Sequence, residues 1–108
     1  MKYLKTFEGL NRKTVDPNEI YVFNIGDNKE PLYLVGKINI NDNDYAPKMS
    51  GYVLNDNNYF KRDDNNYYKK GDTAYSFIKK QYWRTIRVAT DEEKEFYEYY
   101  SNINKYNV

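Results

Sequence analysis

The sequence has no cysteine and no histidine among its 108 residues. Without cysteine there are no disulfides, thiolate metal sites or cysteine nucleophiles. Without histidine there are no imidazole-dependent catalytic triads and no histidine metal ligands. No apolar run approaches the roughly 20 residues that a membrane helix needs, and the N-terminus lacks the apolar core of a signal peptide. We therefore expect a cytoplasmic protein with no membrane partner.

The residue patterns of common active sites are also missing. The five glycines are scattered, so no glycine-rich loop can cradle a phosphate. Serine occurs only at positions 50, 76 and 101, and none of them lies in a nucleophile elbow. Asp63 and Asp64 are neighbours whose side chains point apart, and residues 41–44 lack the later Gly and Glu of a calcium loop. The sequence predicts no enzyme activity, no metal site and no cofactor.

Aromatic residues are abundant although the mean hydropathy is only -1.05. They make up 19% of the chain, including 14 tyrosines, and the formal net charge is only +1. Disordered chains are usually poor in aromatics and high in net charge. The composition thus predicts a folded chain, with residues 1–108 forming a single domain whose core is rich in Tyr and Phe.

Turn-forming residues recur at intervals of roughly 8–12 residues, a spacing typical of small antiparallel sheets and barrels. We expect strands at residues 19–25, 32–40, 49–54, 73–78 and 82–88, with a short hairpin joining 59–61 to 67–69. Gly36 indicates a bulge or bend in the second strand. Residues 1–10 have the spacing of a short helix or docking arm. The predicted class is α+β, mostly β: a small antiparallel sheet or an SH3-like, partly open barrel of about five or six strands with a C-terminal helix.

The final quarter of the chain combines strand, turn and helix signals. Alternation over residues 82–88 favours Ile86 and Val88 facing inward, with Trp83 partly covered at a sheet edge. Thr90 followed by Glu93 predicts a capping box, in which each residue satisfies a free backbone N–H at the helix start. The apolar stripe of the helix is predicted to consist of Phe96, Tyr99, Tyr100 and Ile103.

Part of this stretch resembles a known group of proteins. The run Tyr82-Trp83-Arg84, followed by the run from Arg87 through Ala89-Thr90 to Glu93, is similar to the ending of many small uncharacterised proteins of bacteriophages and mobile elements. The sequence departs from their pattern at Thr85-Ile86, which separates the two runs. The resemblance covers about 20 residues. It implies a phage-like origin and a small accessory role, and it assigns no function to any residue.

Charge is uneven along the chain. Residues 48–87 hold nine Lys or Arg against four Asp, whereas the predicted helix is acidic. Basic residues alternate with aromatic ones here, a mixture typical of protein-binding surfaces and of surfaces that hold single-stranded nucleic acid. The candidate binding residues are Tyr59, Tyr67, Tyr68, Lys69, Lys79, Lys80, Trp83, Arg84 and Arg87.

Two functional hypotheses follow from this surface. The first is a non-enzymatic protein-binding module for a host or phage protein, such as an inhibitor of a host defence protein. The second is a nucleic-acid-binding domain that uses a basic, Tyr-rich sheet face, although a net charge of +1 is low for this class. Homo-oligomers, in which the acidic helix of one copy meets the basic sheet of another, are a further expectation.

Overall fold

The computed structural model describes Leu10, residues 14–40 and residues 46–106. The elements in this part of the chain are β1 (Tyr21–Asn24), β2 (Tyr33–Asn39), β3 (Lys48–Val53), β4 (Thr73–Phe77), a 3-10 helix (Lys80–Thr85), β5 (Arg87–Val88) and α1 (Asp91–Tyr106). The strands form one antiparallel sheet in the order β4-β3-β2-β1-β5. The predicted α+β class is confirmed, as an open sheet rather than a barrel. The helix or arm predicted for residues 1–10 lies almost entirely outside the described residues, as do residues 41–44.

Each face of the sheet has its own apolar cluster. The first face, which we call the core face, carries Tyr21, Phe23, Leu34, Ile38 and Met49, covered by Ile78, Trp83 and Ile86. On the second face Ile20, Val22, Val35 and Ala89 pack with Tyr52, Leu54, Phe96 and Tyr97. The helix α1 therefore covers the second face around β1 and β2, and the residues of β3 and β4 beyond Tyr52 extend past it.

The start of α1 is held by the predicted capping box. The Thr90 N–H donates to Glu93 Oε1 at 2.8 Å, and the Glu93 N–H donates to Thr90 Oγ1 at 3.3 Å. The predicted apolar stripe is wrong at Tyr99, which is 60% exposed. Tyr97 contacts the sheet instead, because residues 93, 97 and 100 follow the three- and four-residue spacing of one helix face.

The middle of α1 is held against the sheet by aromatic contacts. The ring of Tyr52 lies 5.6 Å from that of Tyr97 and 5.9 Å from that of Tyr100. Gly71 has a φ of 94° and lies directly against the Tyr100 ring, where a Cβ would collide. This glycine therefore permits both the turn before β4 and the close approach of the helix.

The segment between β3 and β4 is fastened by a buried amide. The side chain of Asn57 donates to the carbonyls of Glu30 and Pro31 at 3.3 and 3.1 Å. Its Oδ1 accepts from the N–H groups of Tyr59 and Phe60 at 2.8 and 2.7 Å. Because this buried polar side chain is fully hydrogen-bonded, it holds the segment against the β1–β2 turn. The hairpin predicted here is reduced to one isolated bridge, between Lys61 and Tyr67.

The strand predicted over residues 82–88 is the main error in the predicted elements. Residues 80–85 form a 3-10 helix, and only Arg87–Val88 pairs with β1. The 3-10 helix turns Trp83 into the core. Ile86, the extended residue that ends this helix, donates its N–H to the Trp83 carbonyl and lies in the same core cluster. Val88, expected to face inward, is 50% exposed.

Gly36 does not form the predicted bulge. It pairs with Gly51 in a continuous ladder between β2 and β3. A Cβ at Gly36 would collide with the carbonyl oxygen of Ser50, and one at Gly51 with that of Val35. The two glycines therefore let the backbones of the central hairpin approach more closely than side chains would permit. Within the part of the chain that the structure describes, no helix has the length and apolar character of a membrane span.

Gly51→Ala is expected to lower the free energy of unfolding by about 1–3 kcal/mol, the usual cost of forcing extra atoms into a packed core. Urea denaturation would measure the loss. Ser50→Ala is the matched control, since Ser50 is exposed on the other face and such changes usually stay within about 0.5 kcal/mol. If Gly51→Ala is as stable as the wild type, the close approach of the β2 and β3 backbones does not require glycine at position 51.

Candidate functional site

The part of the second sheet face beyond α1 is exposed, and we call it the open face. Strand register places its side chains in two cross-strand rows: Lys37, Ser50 and Tyr75, and beside them Asn39, Lys48 and Phe77. Tyr75 is 62% exposed and Phe77 is 53% exposed. The face therefore presents two large rings and two lysines, with no carboxylate among its six side chains.

The rings and one lysine of the open face contact each other. The Lys48 Nζ lies over the Tyr75 ring, 5.2 Å from its centroid, an arrangement that favours a cation. The Tyr75 and Phe77 rings meet edge to face, with centroids 6.0 Å apart and an angle of 88°. Such pairs contribute about 0.5–1.5 kcal/mol beyond burial. These contacts limit the freedom of the three side chains before any partner arrives.

A groove of about 800 Å³ adjoins the open face. The strands contribute Lys48, Tyr52 and Tyr75 to its lining, and α1 contributes Tyr97. The segment before β4 adds Arg62 and Tyr68. Four tyrosines and two cations thus surround one concave surface.

Arg62 is held in place at the rim of this groove. Its Nη1 lies 3.3 Å from Asp72 Oδ1, and its Nε lies 3.5 Å from Asp63 Oδ2. Backbone N–H groups of residues 65 and 66 donate to Asp63, which lowers the pKa of this carboxyl together with the Arg62 charge. The positive charge of Arg62 is therefore largely compensated by the carboxylates of Asp63 and Asp72. Lys48 is the cation of the groove that can contact an anionic group.

The predicted binding residues are not gathered in one place. Of the nine, Tyr68 lies in the groove. Tyr59 packs edge-on against Phe60, and Lys61 lies 5.6 Å from the centroid of the Tyr67 ring. The remaining exposed members lie elsewhere on the surface: Lys69 before β4, Lys79 and Lys80 just after it, and Arg84 on the 3-10 helix.

Trp83 is not on the surface predicted for it. The residue is only 9% exposed and packs in the core cluster. The prediction assumed strand alternation, which would have turned Trp83 outward with Arg87. Because the segment is a 3-10 helix, the indole faces the sheet, so its role is structural.

Arg87 also has a structural partner. Its guanidinium donates to both carboxylate oxygens of Glu93, at 2.7 and 2.8 Å. This pair, together with the backbone hydrogen bond from Thr90, lowers the pKa of Glu93 to about 2. This bidentate contact joins β5 to the first turn of α1, so the Arg87 guanidinium already has a partner within the protein.

Sequence reasoning missed most of the open face. The predicted strand at residues 73–78 puts Tyr75 and Phe77 on one side by alternation, but alternation does not show whether that side is buried or exposed. Lys37 and Lys48 gave no signal of their own, since only the register between strands places them beside these rings. In the part of the chain that the structure describes, no group of three or more Asp or Glu is arranged to hold a metal ion.

Comparison of the chain with protein families, curated proteins and solved structures found no match.

Removing the charge of Glu93 tests the Arg87 contact. Because the pKa of Glu93 is depressed in the folded state, its ion pair stabilises the protein above the ordinary carboxyl pKa. That stabilisation is lost as the pH falls from about 4.5 to about 2. Glu93→Gln is expected to cost about 1–2 kcal/mol at pH 7, less than the full linkage value because Arg87 is half exposed to solvent.

The measurement is the difference in unfolding free energy between wild type and variant across this pH range. The gap should close toward pH 2, since protonated Glu93 resembles glutamine. Glu92→Gln is the matched control, because Glu92 is exposed in the same helical turn. A gap for Glu93→Gln that stays constant with pH would contradict the ion-pair account.

Proposed function

We propose that this chain is a non-enzymatic binding protein that holds a protein partner on its open face. The observation that carries the proposal is the pair Tyr75 and Phe77. Their two large rings are more than half exposed and occupy alternate positions on one face of a strand. A single exposed apolar residue is ordinary, but a cluster of them marks interaction surfaces. Aromatic residues are also enriched among the residues that contribute most to binding energy.

The surroundings of the two rings support the same conclusion. Lys48 is positioned over Tyr75, and the groove beside it is lined by four tyrosines. Tyrosine offers a broad contact area with few rotatable bonds, so little side-chain entropy is lost on binding. The aromatic centre with a polar rim of Lys37, Asn39 and Ser50 has the layout of a small protein interface.

The proposal extends to the setting in which the protein acts. The resemblance of the chain's last strand and helix start to small phage and mobile-element proteins supports a phage-like origin. Such an origin favours a partner in the cytoplasm of the host cell, and a host defence protein is the specific case we propose. The absence of cysteine is compatible with that reducing compartment.

Site-specific photo-crosslinking tests the proposal. The crosslinker p-benzoylphenylalanine replaces Tyr75, Phe77 or, as a control, Tyr99, which is 60% exposed on α1. In bacterial cells that express the chain, we expect adducts from positions 75 and 77 and none from 99. These adducts should be destroyed by protease and unaffected by nuclease.

Purified components then complete the test. The crosslinked protein should bind the wild-type chain and Tyr99→Ala, and its affinity should fall at least about tenfold for the double variant Tyr75→Ala, Phe77→Ala, as expected for loss of about 1.4 kcal/mol or more. Absence of adducts at positions 75 and 77, or equal adducts at 99, would overturn the proposal.

The same contacts support nucleic-acid binding as a second candidate. A lysine over a tyrosine ring beside further tyrosines is a surface on which bases stack and phosphates meet cations. If this function holds, oligothymidylate should bind at low salt and its affinity should fall steeply with added salt. Lys37→Glu with Lys48→Glu should abolish binding, whereas Lys29→Glu, in the β1–β2 turn, should not. No binding at low salt would exclude this candidate.

A further inference from the structure

The strand β4 lies at one edge of the sheet. Its inner side pairs with β3, and no described strand pairs with its outer side. Bonds that flank the ladder show which backbone groups are used. The Ile78 N–H donates to the Pro47 carbonyl at 2.8 Å, and the Val53 N–H donates to the Asp72 carbonyl at 2.8 Å.

Backbone bonding alternates along an antiparallel pair of strands. Continuing the pattern of the flanking bonds, Ala74 and Ser76 direct their N–H and C=O groups toward β3. Thr73, Tyr75 and Phe77 direct theirs outward. The Phe77 carbonyl accepts a bond from the Ser76 hydroxyl at 3.2 Å, and its second lone pair remains. Three consecutive outward positions provide a backbone template for another strand.

The edge of β4 has none of the features with which proteins usually prevent such pairing. Edge strands are commonly protected by lysine, proline, a bulge or extreme shortness. The sequence of β4 is Thr-Ala-Tyr-Ser-Phe, without charge or proline, and its register with β3 is continuous over all five residues. The opposite edge, β5, has only two residues, and its Arg87 is bound to Glu93.

The same three residues carry the side chains that border the open face. An added strand would lie about 4.8 Å from β4, and every second side chain of it would extend the rows that contain Tyr75 and Phe77. Such a strand would place an apolar side chain against these two rings while its backbone pairs with the edge. Backbone pairing and side-chain contact are thus available to one ligand at once.

The charge along this edge is positive. Lys48 adjoins both rings, and Lys79 and Lys80 are exposed directly after β4. Asp72, which precedes β4, has its carboxylate occupied by Arg62 and by the Lys69 N–H at 2.8 Å. An acidic strand complements this arrangement.

We infer that β4 accepts an additional β-strand from a partner protein, an extended segment that alternates apolar or aromatic residues with Asp or Glu. This inference rests on the proposed function and specifies its mode of recognition. The backbone bonds supply affinity without regard to sequence, whereas the rings and lysines select the side chains.

A second copy of the chain is a less suitable occupant. Self-pairing of two β4 strands would bring together two edges that are both positive, each with Lys79 and Lys80 exposed just beyond the strand. Like charges brought close together repel each other. A foreign acidic segment encounters no such repulsion.

The test selects ligands from a random peptide library against the wild-type chain. Selected peptides should be enriched in Asp and Glu at alternate positions around an apolar residue. Methylating alternate backbone nitrogens of a selected peptide removes its hydrogen-bond donors and leaves its side chains intact. If strand addition holds, methylation at one of the two alternating sets should weaken binding at least about tenfold, because it removes several backbone hydrogen bonds at once.

A matched pair of protein variants gives the complementary measurement. Tyr75→Ala and Tyr75→Pro both lose the ring, but only Tyr75→Pro loses the outward N–H, and proline is tolerated at sheet edges. Peptide affinity should be about fivefold lower for Tyr75→Pro than for Tyr75→Ala, the effect of losing one backbone hydrogen bond. Thermal unfolding shows whether both variants fold. If the proline variant does not fold, the binding of methylated peptides to the wild-type protein replaces this measurement.

Several results would overturn the inference. These are failure to select any peptide, selection of neutral or basic peptides, and insensitivity to both methylation and Tyr75→Pro. Dimerisation of the wild-type chain that Tyr75→Pro abolishes would show that a second copy occupies β4 instead. If ring variants abolish the crosslinked complex of the proposed function while the backbone changes have no effect, the inference fails and the proposed function stands.

Discussion

The position of α1 on the sheet is the constraint on which the rest of the structure depends. In the described part of the chain, α1 is the helix that covers the second sheet face, and it packs over Val22, Val35 and Tyr52. A helix is about 10 Å wide and adjacent strands are about 4.8 Å apart, so one helix cannot cover a five-stranded sheet. The parts of β3 and β4 beyond Tyr52 are therefore exposed on this face, and the open face exists because the helix does not reach them.

Two contacts determine where the helix lies. At its start, Arg87 and Glu93 join β5 to the first helical turn, and Thr90 closes the capping box. Further along, Tyr100 rests against Gly71, where only glycine leaves room. Because these anchors lie at separate points along the helix, its path is defined by specific contacts rather than by apolar packing alone. The same anchors therefore determine the extent of the open face.

The 3-10 helix at residues 80–85 shows how one local conformation can overturn a prediction about a binding residue. Trp83 has the features of a binding residue in the sequence: an aromatic side chain flanked by Tyr82 and Arg84. In the fold it fills the core face together with Ile86, three residues later. An alternating strand would place Trp83 and Ile86 on opposite sides, whereas the 3-10 helix leaves both on the same side. A short segment of mixed propensity does not show which of these two conformations will form. Tyr75 and Phe77, on the opposite side of the sheet, are the exposed rings of the open face.

The sequence by itself determined the α+β class, the positions of β1 to β4 and the capped C-terminal helix. Those features depend on local signals: alternation, turn residues and the pairing of Thr90 with Glu93. Only the tertiary structure decided that the sheet stays open, that Trp83 is buried, and that Lys37, Lys48, Tyr75 and Phe77 meet on one surface. These last four residues lie on three strands far apart in the chain, and only strand register and the limited width of α1 bring them together in solvent.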